Sequence, residues 1–157
     1  KYKPRGAGAG LARPLARLLA GRIRAEDDPV LAGEIDCIAP VPLHRRRRRE
    51  RGFDQAEMLA RALGRELSLP VEAHALARTV YTTKQVGQSY ASRNENVRDA
   101  FRVRQGARVA GRVVLLVDDV LTTGATAAAC AAAVEAAGGR CEGVVTFARS
   151  LPRPDAG

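Results

Sequence analysis

Two adjacent carboxylates and a run of small hydroxyl residues lie together in the segment RVVLLVDDVLTTGATA, which spans Arg112 to Ala127. Asp118 and Asp119 can accept hydrogen bonds from sugar hydroxyls, or help to hold a metal ion that bridges to phosphate. The residues that follow supply hydroxyl donors and one glycine that allows close approach of the backbone. They are Thr122, Thr123, Gly124, Ala125 and Thr126. This composition suits a phosphate in the loop and a sugar beside it.

The residues on either side predict a buried strand before the loop and a helix after it. Val113–Val117 lack polar alternation, which is typical of a strand in a parallel sheet covered on both faces. Ligands of such sheets lie beyond the carboxyl ends of the strands, and the N-terminus of the alanine-rich helix would offer unpaired N–H groups to an anion. The alternative is a strand that ends at the surface, with Thr122 or Thr123 capping the helix. The loop is neither a Walker A motif nor GxGxxG.

The segment VVLLVDDVLTTGAT resembles the phosphoribosyl pyrophosphate (PRPP) loop of the type I phosphoribosyltransferases. The resemblance implies that Asp118 and Asp119 hold the ribose hydroxyls and help a Mg²⁺ ion, and that Thr122 to Thr126 hold the 5′-phosphate. The order of apolar segments fits such a protein. It predicts an α/β fold with a mainly parallel sheet of about five strands and helices on both faces.

The composition predicts one domain over residues 1–157, with a loose leader at 1–10 and a frayed tail at 151–157. The net charge of +9 predicts acidic partners such as phosphates or nucleic acid, although a general preference for arginine would explain part of the excess. The three widely spaced cysteines form no CxxC pair, so we expect no disulfide framework, no structural zinc and a reducing, cytoplasmic location. No apolar run approaches the length of a membrane span, so we expect no stable membrane insertion.

A dense basic run, formed by Arg45–Arg49 and Arg51, follows the short apolar strand predicted at Ile35–Val41. A run of this kind is usually a solvated face or a tether for nucleic acid. Its position directly after a strand end favours a phosphate-binding role for at least one arginine. Asp54 is predicted to cap the next helix. The inward positions of that helix are Ala56, Leu59, Ala60, Leu63 and Leu67.

The stretch APVPLHRRRRRERGFDQ resembles the ComF family, a subgroup of these transferase-like proteins, although Asp54 replaces the usual Asn. The resemblance implies a pyrophosphate side formed by Leu43, His44, Arg45 and Arg51, where His44 is a positioning group or a general base. It also implies a role in DNA uptake, with single-stranded DNA as a ligand. The candidate nucleic-acid contacts are Arg45, Arg46, Arg47, Arg48 and Arg49. ComF proteins often carry a zinc ribbon ahead of this domain, and the sequence does not decide whether such a segment is missing here.

A long polar segment runs from Arg78 to Asn96, and a loop of this length is either functional or mobile. It matches the ComF pattern at Arg78, Gln85, Ser89, Arg93 and Asn96. The resemblance implies a mobile loop that closes over the substrate through Gln85, Arg93 and Asn96. The alternative is a surface loop with a short helix.

The remaining periodicity predicts one further helix and several strands. Leu11, Leu15, Leu18, Leu19 and Ile23 define the inner stripe of an amphipathic helix. Strands are predicted at 71–77, 101–103 and 141–147, and the alanine-rich helix should stop at Gly138.

Three functions stay open from the sequence: phosphoribosyl transfer, nucleic-acid binding in competence, and sensing of PRPP without catalysis. The acceptor and the oligomeric state cannot be read from it.

Overall fold

The computed structural model describes residues 7–25, 34–43, 53–78 and 100–149. The elements in these ranges, in chain order, are α1 (Ala7–Arg24), β1 (Cys37–Pro40), α2 (Gln55–Leu67), β2 (Leu76–Arg78), β3 (Phe101–Val103), β4 (Val113–Leu121), α3 (Ala125–Ala136) and β5 (Arg140–Arg149). This α/β order confirms the predicted fold class.

Strand β4 is the centre of a parallel sheet in the order β1–β4–β5. Pro40 of β1 lies opposite Val117, whereas β5 continues beside β4 until Arg149 lies opposite Leu121. Strands β2 and β3 form a separate antiparallel pair. The described part of the chain therefore has five strands, of which three belong to the parallel sheet.

The apolar run of β4 is buried on both faces, as its lack of polar alternation predicts. Val114 and Leu116 belong to a core cluster that includes residues of α3. Leu115 and Val117 belong to a second cluster with α1 and α2. All four side chains are fully buried, and the expected helices on both faces are confirmed.

The inner face of α1 matches the predicted stripe in part, since Leu15, Leu19 and Ile23 pack against the second core cluster. Ala16 and Ala20 are buried against the layer formed with α2, while Leu11 and Leu18 are 60% and 72% exposed. The prediction was wrong for these two leucines because small alanines allow the two helices to approach more closely than leucines would. Arg17 Nε adds a bond of 3.3 Å to Glu66 Oε1 of α2. Helix α1 also begins at Ala7, so the predicted loose leader is wrong from that residue onward.

Helix α2 begins and ends with well-defined caps. The Glu57 N–H donates to Asp54 Oδ1 at 3.2 Å, which confirms the predicted N-cap. The helix ends at Ser68, whose φ of 58° lies in the left-handed region. Within the last turns, Gly64 lies against Val71 and the Leu69 carbonyl.

The predicted strand bounds were wrong in three places, including the first strand, which is Cys37–Pro40 rather than Ile35–Val41. The segment expected as a strand at 71–77 makes one parallel bridge, between Val71 and Ile38, and forms a strand only at Leu76–Arg78. The final strand extends over Arg140–Arg149, longer than predicted, because it pairs with β4 along nearly its whole length. Among the helices that the structure describes, none is both long and apolar enough to cross a membrane.

Candidate functional site

Asp118 and Asp119 lie within the second half of β4 rather than after it. The ladder between β1 and β4 ends at Val117, so the two acids lie just beyond β1 while β5 still pairs beside them. One residue after β1 ends, the Val41 N–H still donates to the Val117 carbonyl at 2.8 Å. Both acids are half-buried rather than fully exposed at the end of the strand.

Backbone groups orient both carboxylates. Asp118 Oδ1 accepts from the Asp119 N–H at 2.8 Å, and Asp119 Oδ1 accepts from the Val120 N–H at 2.8 Å. From β5, the Thr146 hydroxyl donates to the Asp119 carbonyl at 3.2 Å. The acid pair is thereby fixed to β4 and its neighbour β5, and both carboxylates are held at the carboxyl edge of the sheet.

The pKa of Asp118 is raised to about 6. Burial is the largest cause of this rise; the N–H of Asp119 opposes it, and the negative charges of Asp119 and Asp54 contribute to it. Asp54, the cap of α2, is therefore close enough to Asp118 for its charge to be felt. A bound cation or hydroxyl donor stabilises the charged form of a carboxylate that is desolvated and near other carboxylates more than that of a solvated carboxylate.

The loop between β4 and α3 leaves the start of the helix without a side-chain cap. Gly124 is the N-cap, with a φ of 79° that favours glycine, and no side chain completes the cap. The alternative in which Thr122 or Thr123 caps the helix is therefore wrong. Thr123 Oγ1 accepts only a long bond of 3.4 Å from the Ala125 N–H.

This uncapped terminus suits an anion. The first helical bond in α3 runs from the Ala128 N–H to the Gly124 carbonyl, so the N–H groups of Thr126 and Ala127 precede the helical ladder. No acidic residue lies in the first turn. The hydroxyls of Thr122 and Thr123 lie on exposed residues beside these N–H groups. A phosphate here would meet donors and the positive end of the helix dipole.

Two basic residues near this edge were missed by the sequence reasoning or given no role there. Arg149 is the last residue of β5 and is exposed. It lies opposite Leu121, the residue directly before the loop. The signal was a basic residue at the end of an apolar strand, but the strand was predicted to stop at Phe147. Arg78 ends β2, and its guanidinium lies 5.4 Å from the centroid of the Phe101 ring. Its Nε is buried, with no hydrogen-bond partner among the described residues.

A cysteine lies beneath the site. The pKa of Cys130 is raised to about 12, chiefly by burial; the charge of Asp118 contributes to this rise, and that of Arg78 opposes it. The thiol is fully buried and stays protonated, so it packs as a small apolar group. It does not act as a nucleophile.

Several predicted site residues lie outside the described residues. They are His44, Arg45, Arg46, Arg47, Arg48, Arg49, Arg51, Gln85, Arg93 and Asn96. Leu43 is described, and it is half-buried on the chain that leaves β1 at the edge where Asp118 lies. Its proposed pyrophosphate role stays a prediction.

The acid pair has the donor type that Mg²⁺ requires. Within the described ranges, no group of three or more His, Cys, Asp or Glu side chains could hold a metal on its own. Mg²⁺, however, commonly binds through one or two carboxylates together with substrate phosphates and water. Asp118 and Asp119 supply two hard oxygen donors immediately before the loop, and the charge of Asp119 contributes to the raised pKa of Asp118.

The sheet and the loop after its central strand define the type I phosphoribosyltransferase fold. The adenine phosphoribosyltransferase of Leishmania tarentolae is similar, with a TM-score of 0.55, 21% identity and coverage of 89% of this chain and 58% of that chain. The glutamine PRPP amidotransferase of B. subtilis gives a TM-score of 0.54 and 22% identity, over 89% of this chain and 26% of that chain. At these identities the likeness shows the fold alone.

Sequence relatives identify the group within this fold. The chain is 41% identical to the DNA utilization protein YhgH of Escherichia coli K12, over 59% of this chain and 40% of the relative. It is 36% identical to competence protein F of Haemophilus influenzae, over 73% of this chain and 50% of the relative. No family model matches the sequence. The chain belongs to the ComF family of phosphoribosyltransferase-like proteins, and it spans half or less of the length of these curated relatives.

Proposed function

We propose that this protein binds PRPP or ribose 5-phosphate at Asp118 to Thr126 and carries out Mg²⁺-dependent phosphoribosyl transfer. One observation carries the proposal. The central strand places two half-buried carboxylates immediately before a loop that ends at a helix N-terminus with no side-chain cap. The acids suit sugar hydroxyls and the helix terminus suits phosphate, so the arrangement fits both ends of a ribose 5-phosphate.

Each part of the segment has a separate role in this proposal. Asp118 and Asp119 accept hydrogen bonds from the ribose hydroxyls. The N–H groups and hydroxyls between Thr122 and Thr126 hold the 5′-phosphate. Leu43, three residues after the end of β1, faces the pyrophosphate in this proposal.

In the proposed reaction a nucleophile forms a bond to C1 of the ribose while the bond from C1 to the pyrophosphate oxygen breaks. Positive charge develops on the ring, so two fixed carboxylates nearby stabilise it without reorganisation. When bound, Mg²⁺ would neutralise charge on the leaving pyrophosphate. Sensing of PRPP without turnover uses the same residues and differs only in the absence of product.

Titration calorimetry with PRPP, in the presence and absence of Mg²⁺, tests the binding. We expect Asp118→Ala with Asp119→Ala to abolish measurable PRPP binding, whereas Glu34→Gln, which removes an exposed carboxylate remote from the loop, should leave it unchanged. Undiminished affinity in the double variant would reject the site.

A screen for pyrophosphate release over purine and pyrimidine bases tests turnover separately. Release with one acceptor would support an enzyme. Tight PRPP binding with no release from any base would favour the sensor.

A second candidate is binding of single-stranded DNA, which the net charge of +9 and the run Arg45–Arg49 favour. The names of the relatives, DNA utilization and competence, point in the same direction. Binding through phosphates should weaken steeply as salt rises, whereas PRPP binding should depend on Mg²⁺. Replacing Arg45–Arg49 with Ser should reduce DNA binding more than ribose 5-phosphate binding, with Arg13→Ser and Arg22→Ser on α1 as the matched control. Equal losses of both ligands would place the run in the phosphate pocket.

We also propose a cytoplasmic location. The cysteines Cys37, Cys130 and Cys141 are free thiols, as a reducing compartment favours.

A further inference from the structure

A cavity of about 530 Å³ lies at the opposite end of the sheet from the acid pair. It is bounded by β3, by the turn that precedes β4 and by Ala137 at the end of α3. The candidate phosphate loop lies at the other end of α3, which has 12 residues and is therefore about 18 Å long. The cavity is separate from the PRPP site and lies within the volume range of small-molecule sites.

The cavity has an apolar floor and a basic rim. Val103, Val109 and Ala107 contribute the apolar part, and Arg102, Arg104 and Gln105 contribute the polar part. This combination is the usual composition of a site for a small ligand with an apolar body and a charged group.

The rim arginines have no ion pair among the described residues. At the same end of the sheet, Arg112 lies 3.9 Å from Glu72, and Arg140 lies 2.8 Å from Glu142. Arg102 and Arg104 are exposed and have no such partner in the described ranges. Their guanidinium groups can therefore bind an anion without first breaking an ion pair with a carboxylate of the described residues.

The walls are held by backbone hydrogen bonds, so the cavity is preformed. The Arg104 N–H donates to the Ala75 carbonyl at 2.7 Å, and the Ala107 N–H donates to the Arg104 carbonyl at 3.1 Å. The Gly111 N–H donates to the Gly138 carbonyl at 2.8 Å, which ties the turn to the end of α3. Ordering this turn would therefore subtract little from the binding free energy of a ligand.

The residues that line the cavity combine groups that prefer different ligand chemistries. The C-terminus of α3, at Ala137, carries the partial negative charge of the helix dipole, so it disfavours phosphate and favours N–H donors. Arg102 and Arg104 favour phosphate, which arginine binds in a bidentate manner. An apolar floor between the two suits a planar heterocycle.

We propose that this cavity is a second binding site, for a 5′-mononucleotide. The base lies on the apolar floor towards Ala137, and the phosphate contacts Arg102 and Arg104. The site is independent of PRPP binding, since it shares no residue with the segment from Asp118 to Thr126.

Calorimetric titration with AMP tests this site in the Asp118→Ala, Asp119→Ala protein, in which the first site is disabled. AMP should bind with 1:1 stoichiometry, while adenosine and inorganic phosphate should each bind at least about 10-fold more weakly. Arg102→Ser with Arg104→Ser should weaken AMP binding by about 10-fold or more. The matched control is Arg108→Ser, because Arg108 is exposed on the same turn but does not line the cavity, and its affinity for AMP should stay within about 2-fold of the parent.

Ala110→Trp provides a second, independent variant, because Ala110 lines the cavity and is exposed, so a large side chain there blocks the site without disturbing the core. It should remove AMP binding and leave the unfolding temperature unchanged. The proposal is overturned if AMP does not bind, if adenosine binds equally well, if Arg108→Ser costs as much as the rim double variant, or if Ala110→Trp still binds AMP.

Discussion

Replacing Asp118 with asparagine should stabilise the fold at neutral pH and at the same time remove PRPP binding. Burial raises the pKa of Asp118 to about 6, from an ordinary value of 3.8. Since the folded-state pKa is the higher one, the folded protein binds this proton more tightly than the unfolded chain does. The stabilising contribution of the protonated acid is therefore fully present below about pH 4 and is lost as the pH rises through 6. Asparagine carries no charge and avoids this loss.

The size of the effect follows from the difference between the two pKa values. If the whole difference arises from folding, the charged acid lowers the free energy of unfolding by about 3 kcal/mol relative to the protonated acid. Asp118 is only half-buried, and screening by solvent reduces the expected gain in the free energy of unfolding to about 1–2 kcal/mol at pH 8.

Urea unfolding of the parent and Asp118→Asn at pH 4, 6 and 8 provides the measurement. The difference in unfolding free energy should be near zero at pH 4 and should increase through pH 6 to its full value at pH 8. The exposed Glu34→Gln removes the same charge without the burial and should show no such increase. A stability difference that does not change with pH, or a variant less stable than the parent at pH 8, would refute the assignment of a desolvated carboxylate.

Three further substitutions test the loop after β4 and the two ends of α2. Gly124→Ala should cost about 1–2 kcal/mol, because φ is 79° although open space surrounds the new Cβ; thermal unfolding measures it, and the helical Gly21→Ala, also with open space, should instead gain stability. Asp54→Ala should cost about 1 kcal/mol through the lost cap of α2, and an NMR titration should show a lower pKa of Asp118, because one nearby negative charge is gone; an unchanged pKa would contradict the proximity. Gly64→Ala should destabilise by about 1–3 kcal/mol in urea, because its Cβ would lie 2.9 Å from the Leu69 carbonyl oxygen, and a neutral result would mean that α2 can move away from this loop.

Much of the candidate site could be predicted because it depends on neighbours in sequence. An apolar run without alternation can be covered on both faces, and Val114–Val117 are buried in that way. Asp54 caps α2 through the N–H of Glu57, three residues later, and such a bond needs no distant partner. The glycine in the loop adopts the left-handed conformation that only glycine reaches easily.

Other features could not be predicted because they depend on partners that are far away in sequence. Val71 makes a single bridge to Ile38 instead of a strand, since the loop after α2 meets the sheet edge at only one point. Leu11 and Leu18 point outward because the contact between α1 and α2 uses alanines.

The sequence by itself determined the central strand, the order of acids, loop and helix, and the membership of the ComF family. It did so because these depend on local composition and on a contiguous motif. Only the tertiary structure decided how that motif is used. The length of β5, the proximity of Asp54 to Asp118 and the resulting raised pKa all arise from chain segments that meet in space. The same is true of the cavity at Arg102 and Arg104, which exists because the end of α3 packs beside the turn before β4.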